Sequence, residues 1–205
     1  MSGGLELVKW IAFAAMVADH VDLILLDRSV PWLNAIGRFA YPAFAVAFGL
    51  GLARSTDPLA VARRLLVPGL VAQVCWLLAP GGPALNVLLS FASVAFFVAM
   101  LDRSRWHAAG ALVLVLCLAP WLEGGPAGLL VASAAWAFAR FREPVWLAGL
   151  LPMAVALPSV GLVAGLAAPW IGQRVNLAAP RVPGLLAWAY AAHLAALVAL
   201  RAALH

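Results

Sequence analysis

Nine apolar runs take up almost the whole chain: 6–26, 33–53, 61–79, 84–101, 106–122, 125–141, 145–157, 159–171 and 184–203. A helical bilayer crossing needs about 20 predominantly apolar residues. Inside hydrocarbon a segment must satisfy its own backbone hydrogen bonds, so helix is the expected form of each run. A chain of 205 residues holds at most roughly nine such crossings with short connections. No stretch remains for a separate soluble domain. The expected fold is therefore all-α: one polytopic transmembrane helix bundle over residues 1–205, with about eight or nine membrane segments. Composition closes the other classes. Hydrophobic residues make up 66% and charged residues 10%, against about 45–50% and about 25% in soluble domains. A soluble globular protein, a disordered chain and a nucleic-acid-binding domain are all excluded on that ground.

Turn chemistry punctuates the runs. Asp57-Pro58 follows the second, Pro80-Gly81-Gly82-Pro83 the third and Glu123-Gly124-Gly125-Pro126 the fifth, and Glu143-Pro144 precedes the seventh. Cys75 and Cys117 lie within apolar runs, which speaks against a disulfide framework. The N-terminal Met1-Ser2-Gly3-Gly4-Leu5-Glu6 lacks the basic start of a secretory signal, so the first run is expected to be a retained helix. No internal repeat is visible.

The net charge of +5 is distributed as a topology signal. Arg54, Arg63 and Arg64 lie between runs two and three, and Arg103 and Arg105 between four and five. Arg140 and Arg142 lie between six and seven, and Arg174 and Arg181 between eight and nine. Runs seven and eight are each too short for an upright crossing, and Pro152 and Pro158 break them. Region 145–171 is either one long bent helix or a hairpin of two short helices. As a hairpin it puts all nine arginines on one face, which the positive-inside rule makes cytoplasmic. That arrangement is expected, with the N-terminus inside and the C-terminus outside.

Ionisable groups within the runs carry the functional signal, because each costs at least ~2.5–3.5 kcal/mol at a helix centre. The first run holds Asp19-His20, with Asp22 close to the face of Asp19. The second holds Arg38 and Tyr41, three apart. The last holds Tyr190 and His193, again three apart. Asn86 and Ser90, four apart, are milder polar groups, as is Gln73. One polar cluster inside a bundle is expected. Asp19 or Asp22 would pair with Arg38, and Asp19 would orient His20 or His193. A histidine so held can take a proton from an amine or carry an acyl group. Structural readings stand beside these: an Arg38–Asp22 ion pair, an interhelical bond from His193, and packing roles for Asn86 and Ser90.

The same residues resemble a known family. Leu7-Val8-Lys9-Trp10-Ile11-Ala12 and Met16-Val17-Ala18-Asp19-His20, followed by Ile36-Gly37-Arg38-Phe39-Ala40-Tyr41-Pro42-Ala43-Phe44-Ala45, are similar to the early motifs of the TraX family of membrane acetyltransferases. Arg63-Arg64-Leu65, Ala72-Gln73 and Asn86-Val87-Leu88-Leu89-Ser90 resemble its next helix starts. Glu123-Gly124-Gly125-Pro126-Ala127-Gly128 resembles a glycine-rich helix entry, and Tyr190-Ala191-Ala192-His193-Leu194 its terminal motif, with Ala191 in place of proline. A looser likeness exists to the heparan-alpha-glucosaminide N-acetyltransferases.

The resemblance implies acetyl transfer from acetyl-CoA to an amine, in the known case the N-terminus of a pilin, at a bacterial inner membrane. Acetyl-CoA, as co-substrate, would meet Arg54, Arg63 and Arg64, whose guanidinium groups suit phosphate, with Asn86 and Ser90 beyond them. His20, Asp19, Arg38, Tyr41, His193 and Tyr190 are the expected catalytic set, with Arg38, Tyr41, Asn86 or Tyr190 stabilising the oxyanion. No metal site is expected. The expected partners are acetyl-CoA, a pilin-like or other membrane-delivered acceptor and the lipid bilayer, with no nucleic acid. The rival reading is a proton-coupled transporter with Asp19, His20 and His193 as a relay.

Overall fold

The computed structural model describes residues 3–80, 85–156, 159–175 and 184–204. They form a bundle of helices: α1 (Gly3–Ile24), α2 (Pro31–Gly37), α3 (Ala40–Leu52), α4 (Pro58–Leu78), α5 (Val87–Leu101), α6 (Arg105–Leu118), α7 (Gly125–Phe141), α8 (Leu151–Ala156), α9 (Val160–Gly172) and α10 (Leu185–Leu204). Short 3₁₀ helices span Ala119–Trp121 and Pro144–Leu150. The described residues contain no strand, only an isolated bridge between Leu85 and Leu122. The all-helical expectation is met.

Helix starts follow the side chains that cap them. Asp57, Asn86, Ser104 and Ser159 each accept from a backbone N–H in the first turn of α4, α5, α6 and α9. These caps satisfy donors that a helix leaves orphaned. Pro31 and Pro58 sit at first helical positions, where the missing N–H costs nothing.

Large apolar side chains face outward. On α4, Leu66, Val67, Leu70, Val71, Val74, Leu77 and Leu78 are all exposed, as are Leu112, Val113, Leu114 and Leu116 on α6. Inside, Ala, Val and Leu dominate, with Asp22, Asn86, Ser90 and His20 buried among them. A soluble domain would not leave such continuous apolar faces open. Three helical stretches are long and apolar enough to cross a membrane: Pro31–Leu52, Pro58–Leu78 and Leu185–Leu204.

Small residues let the helices approach closely. Gly4 meets Gly172, which brings the end of α9 to the start of α1. At its other end, α9 puts Gly161 against Ala35 beside Arg38. The preceding piece runs the opposite way. It leaves the end of α7 at Arg142, and Gly149 then rests on Ala134, two turns back along α7. Within region 145–171 the described pieces 145–156 and 159–171 thus run in opposite directions, as the hairpin alternative expects.

Most of the loop arginines gather at one end as a result, with Arg28, Arg38 and Arg201 at the other. Arg54, Arg142 and Arg174 border one cleft, and Arg54 also donates to Gln173. Ala99 and Met100, at the end of α5, pack with Ala111 beside Leu59, so the turn carrying Arg103 and Arg105 lies at that end too. Arg181 falls outside the described residues.

Candidate active site

Two histidines distant in sequence meet at the centre of the bundle. His20 Nδ1 lies 2.7 Å from His193 Nε2. The imidazole planes differ by only 3° with centroids 5.0 Å apart, so the rings lie edge to edge in one plane. His193 sits on α10, where its Nδ1 donates to the Ala189 carbonyl oxygen at 3.3 Å. That bond places the His193 proton on Nδ1 and leaves Nε2 as an acceptor. His20 must then donate through Nδ1, and its Nε2 keeps a lone pair with no protein partner among the described residues. Trp76 of α4 packs 5.1 Å from His20, and Tyr190 lies 6.1 Å from His20 and 5.3 Å from His193. His20 is 2% exposed.

A cavity of about 520 Å³ leads toward this pair. Its mouth carries Glu6, Lys9, Arg54, Ser55 and Arg64. Met16, Phe44, Phe48, Phe91 and Val87 form the walls, and Phe13 and Tyr190, which line it too, pack on the histidine rings. Lys9 and Glu6 form an ion pair of 3.0 Å. Arg63 does not line the cavity, whereas Arg64, its neighbour, does.

The carboxylates of α1 take partners other than those expected. Adjacent helical residues point about 100° apart, so Asp19 and Asp22 face α2 while His20 faces α10. Asp19 Oδ1 accepts from Arg28 Nη1 at 2.6 Å and from Asn34 Nδ2 at 3.2 Å. Asp22 holds the turn that follows: its carbonyl accepts from the Arg28 N–H and its Oδ1 from the Val30 N–H. Asp27 and Arg28 both have left-handed backbone, with φ of 47° and 62°. This folds the Arg28 guanidinium back onto Asp19. Gly37 allows the contact from the other side, since a Cβ there would lie 2.3 Å from the Asp19 Cβ.

Arg38 therefore has neither Asp19 nor Asp22 as a salt-bridge partner. Its Nε donates to Asn34 Oδ1 at 3.4 Å, and the side chain borders a second cavity with Asp22, Arg28 and Ser159. The break between α2 and α3 separates it from Tyr41. Tyr41 turns inward, and its ring lies over Gly124 and Gly128, where any Cβ would overlap it at 2.1 Å. The Asp19–histidine contact expected from the sequence is likewise replaced by the histidine pair.

Asn86 and Ser90 serve the fold. Asn86 caps α5 through Leu88 and Leu89 and donates from Nδ2 to the Gly69 carbonyl and to Gln73 Oε1. Ser90 Oγ donates to the carbonyls of Asn86 and Glu123. Their polar atoms are taken up by the protein, which leaves neither suited to grip a cofactor. Among the described residues no group of three His, Cys, Asp or Glu is arranged to hold a metal ion.

Lys9 at the cavity mouth, Arg28 on Asp19, Trp76 against His20 and Glu123 near Tyr190 are neighbours of this cluster to which motif reading gave no role. Lys9 stood inside an early motif and Glu123 inside a glycine-rich turn, and neither was given a role. The signal for Glu123 was a carboxylate next to a glycine-rich turn between two apolar runs. The chain matches the TraX protein family over residues 4–201. It is 33% identical over 178 residues to Protein TraX of Escherichia coli, covering 83% of this chain and 71% of that one. To Protein TraX of Escherichia coli strain K12 it is 34% identical over 138 residues, covering 64% of this chain and 54% of the relative. No solved structure is significantly similar to it. The match runs through α1, which carries His20, and through α10, which carries His193, and the chain belongs to the TraX family.

Proposed function

We propose that this chain is a membrane-embedded acetyltransferase that moves acetyl from cytoplasmic acetyl-CoA to an acceptor amine. The observation that carries the reading is the His20–His193 pair beside a cavity whose mouth is ringed by Lys9, Arg54 and Arg64. The CoA phosphates sit at that basic mouth. The pantetheine arm runs along the apolar wall and brings the thioester to the histidines. Arg63, which stands outside the mouth, is not part of this grip.

The same geometry supports a membrane assignment as part of this proposal. α1, α2 with α3, α4, α5, α6, α7, the 144–156 piece, α9 and α10 make nine crossings of a bacterial inner membrane. The arginine-rich end and the N-terminus face the cytoplasm. The acceptor is the N-terminal amine of a pilin or another exported protein, as the family resemblance implies, and it enters from the opposite end.

His20 Nε2 is the base. As the amine attacks the thioester carbon, its proton passes to Nε2. The bond from His20 Nδ1–H to His193 Nε2 then supports the positive imidazolium, and Ala189 fixes the tautomer of His193. His193 thus takes the orienting role first expected of Asp19. The Tyr190 hydroxyl is buried and without a partner, and it donates to the oxyanion of the tetrahedral intermediate. The carbon–sulfur bond breaks, and His20 returns the proton to the CoA thiolate.

The test is radiolabelled acetyl-CoA turnover by detergent-purified protein with a free-α-amine apolar peptide, wild type beside His20→Ala, with thermal stabilisation by acetyl-CoA measured in parallel. Labelled peptide from wild type and none from His20→Ala supports the reading. Acetyl-CoA that fails to stabilise the wild type overturns it and turns attention to proton-coupled transport.

A further inference from the structure

Three buried, unpartnered polar atoms converge on one place. Glu123 Oε2, the Tyr41 hydroxyl and the Tyr190 hydroxyl are all buried and without hydrogen-bond partners. The Val87 N–H, at the start of α5, faces both the Glu123 carboxylate and the Tyr190 hydroxyl. Tyr41 and Asp19 are the other ionisable groups near that carboxylate. The Glu123 backbone is pinned on both sides. Its N–H donates to the Leu85 carbonyl at 2.8 Å, and its own carbonyl accepts from Ser90 Oγ at 3.1 Å. The carboxylate is therefore held in position and still has an open oxygen. Such an atom is costly to bury unless something fills it.

We infer that Glu123 is the binding site for the acceptor's primary ammonium group and takes its first proton. The inference rests on the acetyltransferase reading for the step that follows. An amine in water near neutral pH is protonated and cannot attack a thioester. It must shed one proton before the attack and a second as the carbon–nitrogen bond forms. His20 Nε2 has one lone pair and accounts for the second. Glu123 accounts for the first: the ammonium N–H bond breaks, the proton goes to Oε2, and the free amine lone pair attacks the thioester carbon. After the carbon–sulfur bond breaks and His20 has protonated the thiolate, the one proton left over is on Glu123, to be released to solvent. Burial pushes the Glu123 carboxyl up to about 7, with the Val87 N–H opposing and Asp19 adding to the shift. A carboxylate so tuned accepts a proton from an amine more readily than an ordinary one.

The position also fits two-sided access. Glu123 lies in the connection between α6 and α7, beside the start of α5. The basic mouth is at the other end of the bundle, beside Lys9 and Arg64. An ammonium held by Glu123 and a thioester arriving along the cavity would meet between Tyr190 and the histidine pair.

Octylamine is the probe, with octanol as its uncharged control, in thermal-shift titrations of the detergent-purified full chain. Octylamine stays cationic across the working range. It should stabilise the wild type at lower concentration than octanol, and Glu123→Gln should weaken octylamine roughly 10–100-fold, the size of a charge-assisted hydrogen bond. Glu123→Asp should keep part of the preference. In the wild type the octylamine effect should strengthen as pH rises through about 7. Equal octylamine preference in Glu123→Gln, or wild-type binding that is flat from acid to alkaline pH, overturns the proposal. If acetyl-CoA fails to stabilise the wild type while the octylamine preference holds, the acetyltransferase reading falls and the ammonium site stands.

Discussion

On one face of α1, Asp19 and Asp22 meet Arg28, Asn34 and the Val30 amide; on the other, His20 meets His193, Trp76 and Tyr190. The first face is ionic and partly open, with the Arg28 and Asp19 side chains 41% and 23% exposed. Its bonds are local, spanning at most fifteen residues of sequence. The second is buried and joins residues 173 apart. The carboxylate face pins a turn, since Asp22 holds the left-handed pair Asp27–Arg28 and Arg28 in turn closes on Asp19. The histidine face leaves one nitrogen without a protein partner among the described residues, behind Tyr190, which lines the large cavity. Charge alone does not tell the two faces apart: His20 Nε2 has no protein partner among the described residues, and on the carboxylate face Asp22 Oδ2 is likewise buried without one.

The largest expected effect is at His20. His20→Ala should lower acetyl transfer by about 10³-fold or more, within the range that a general base contributes, with helicity by circular dichroism unchanged. A variant with near-normal turnover would break the contrast between the faces. His193→Ala should cost about 10²-fold through the lost support of the imidazolium, while Asp19→Asn should cost less than tenfold because Asp19 touches neither ring. Kinetics of the two variants in the reverse order would show that the carboxylate face governs the chemistry after all.

At the basic mouth, Arg54→Gln and Arg64→Gln should each weaken acetyl-CoA binding by roughly tenfold, as loss of a charge-assisted phosphate contact would. Arg63→Gln, which lies outside the cavity, should weaken it less, and equal losses at Arg63 and Arg64 would move the CoA site. The Glu123 carboxyl contributes a pH slope to stability. Its folded value of about 7 lies above its ordinary 4.5, so the folded chain keeps a proton that the unfolded chain has already lost between those values. Stability should fall as pH rises through that window. Glu123→Gln removes the slope and should gain in Tm relative to wild type on going from pH 5 to pH 8; melting curves in buffered detergent decide it. The smallest effect is expected at Arg28. The Arg28–Asp19 pair is partly exposed, so Arg28→Ala should cost about 1 kcal/mol or less, measured by thermal or denaturant unfolding.

Much of this could be seen in the residues. The all-helical class followed from the apolar runs, and two opposed pieces within 145–171 were expected from short lengths, prolines and the placement of Arg174 and Arg181. Tyr190 and His193 stood out by their spacing in an apolar run, and both lie against His20. Pairings were harder to foresee. Arg38 looked like the cation for Asp19 because both lie in predicted spans; Arg28 took that place through a left-handed turn that no spacing rule announces. Asn86 looked like a ligand and became a cap, because its position just before Val87 puts it at a helix start. Glu123 stayed hidden because a carboxylate beside glycine and proline reads as solvent-exposed turn.

Hydropathy, cap residues and the sign of loop charges are local properties of the chain, and they alone determined that this protein is helical and apolar, with most of its loop arginines at one end. They also marked His20, His193, Tyr41 and Tyr190 as expensive residues in need of a reason. Which of these groups face one another was decided only by the tertiary structure. A step of one residue turns a helix by about 100°, so neighbours such as Asp19 and His20 are delivered to different partners. The choice of partner depends on the rotation and close approach of α1, α2 and α10, set where Gly37 admits Asp19 and where His193 arrives from the far end of the chain.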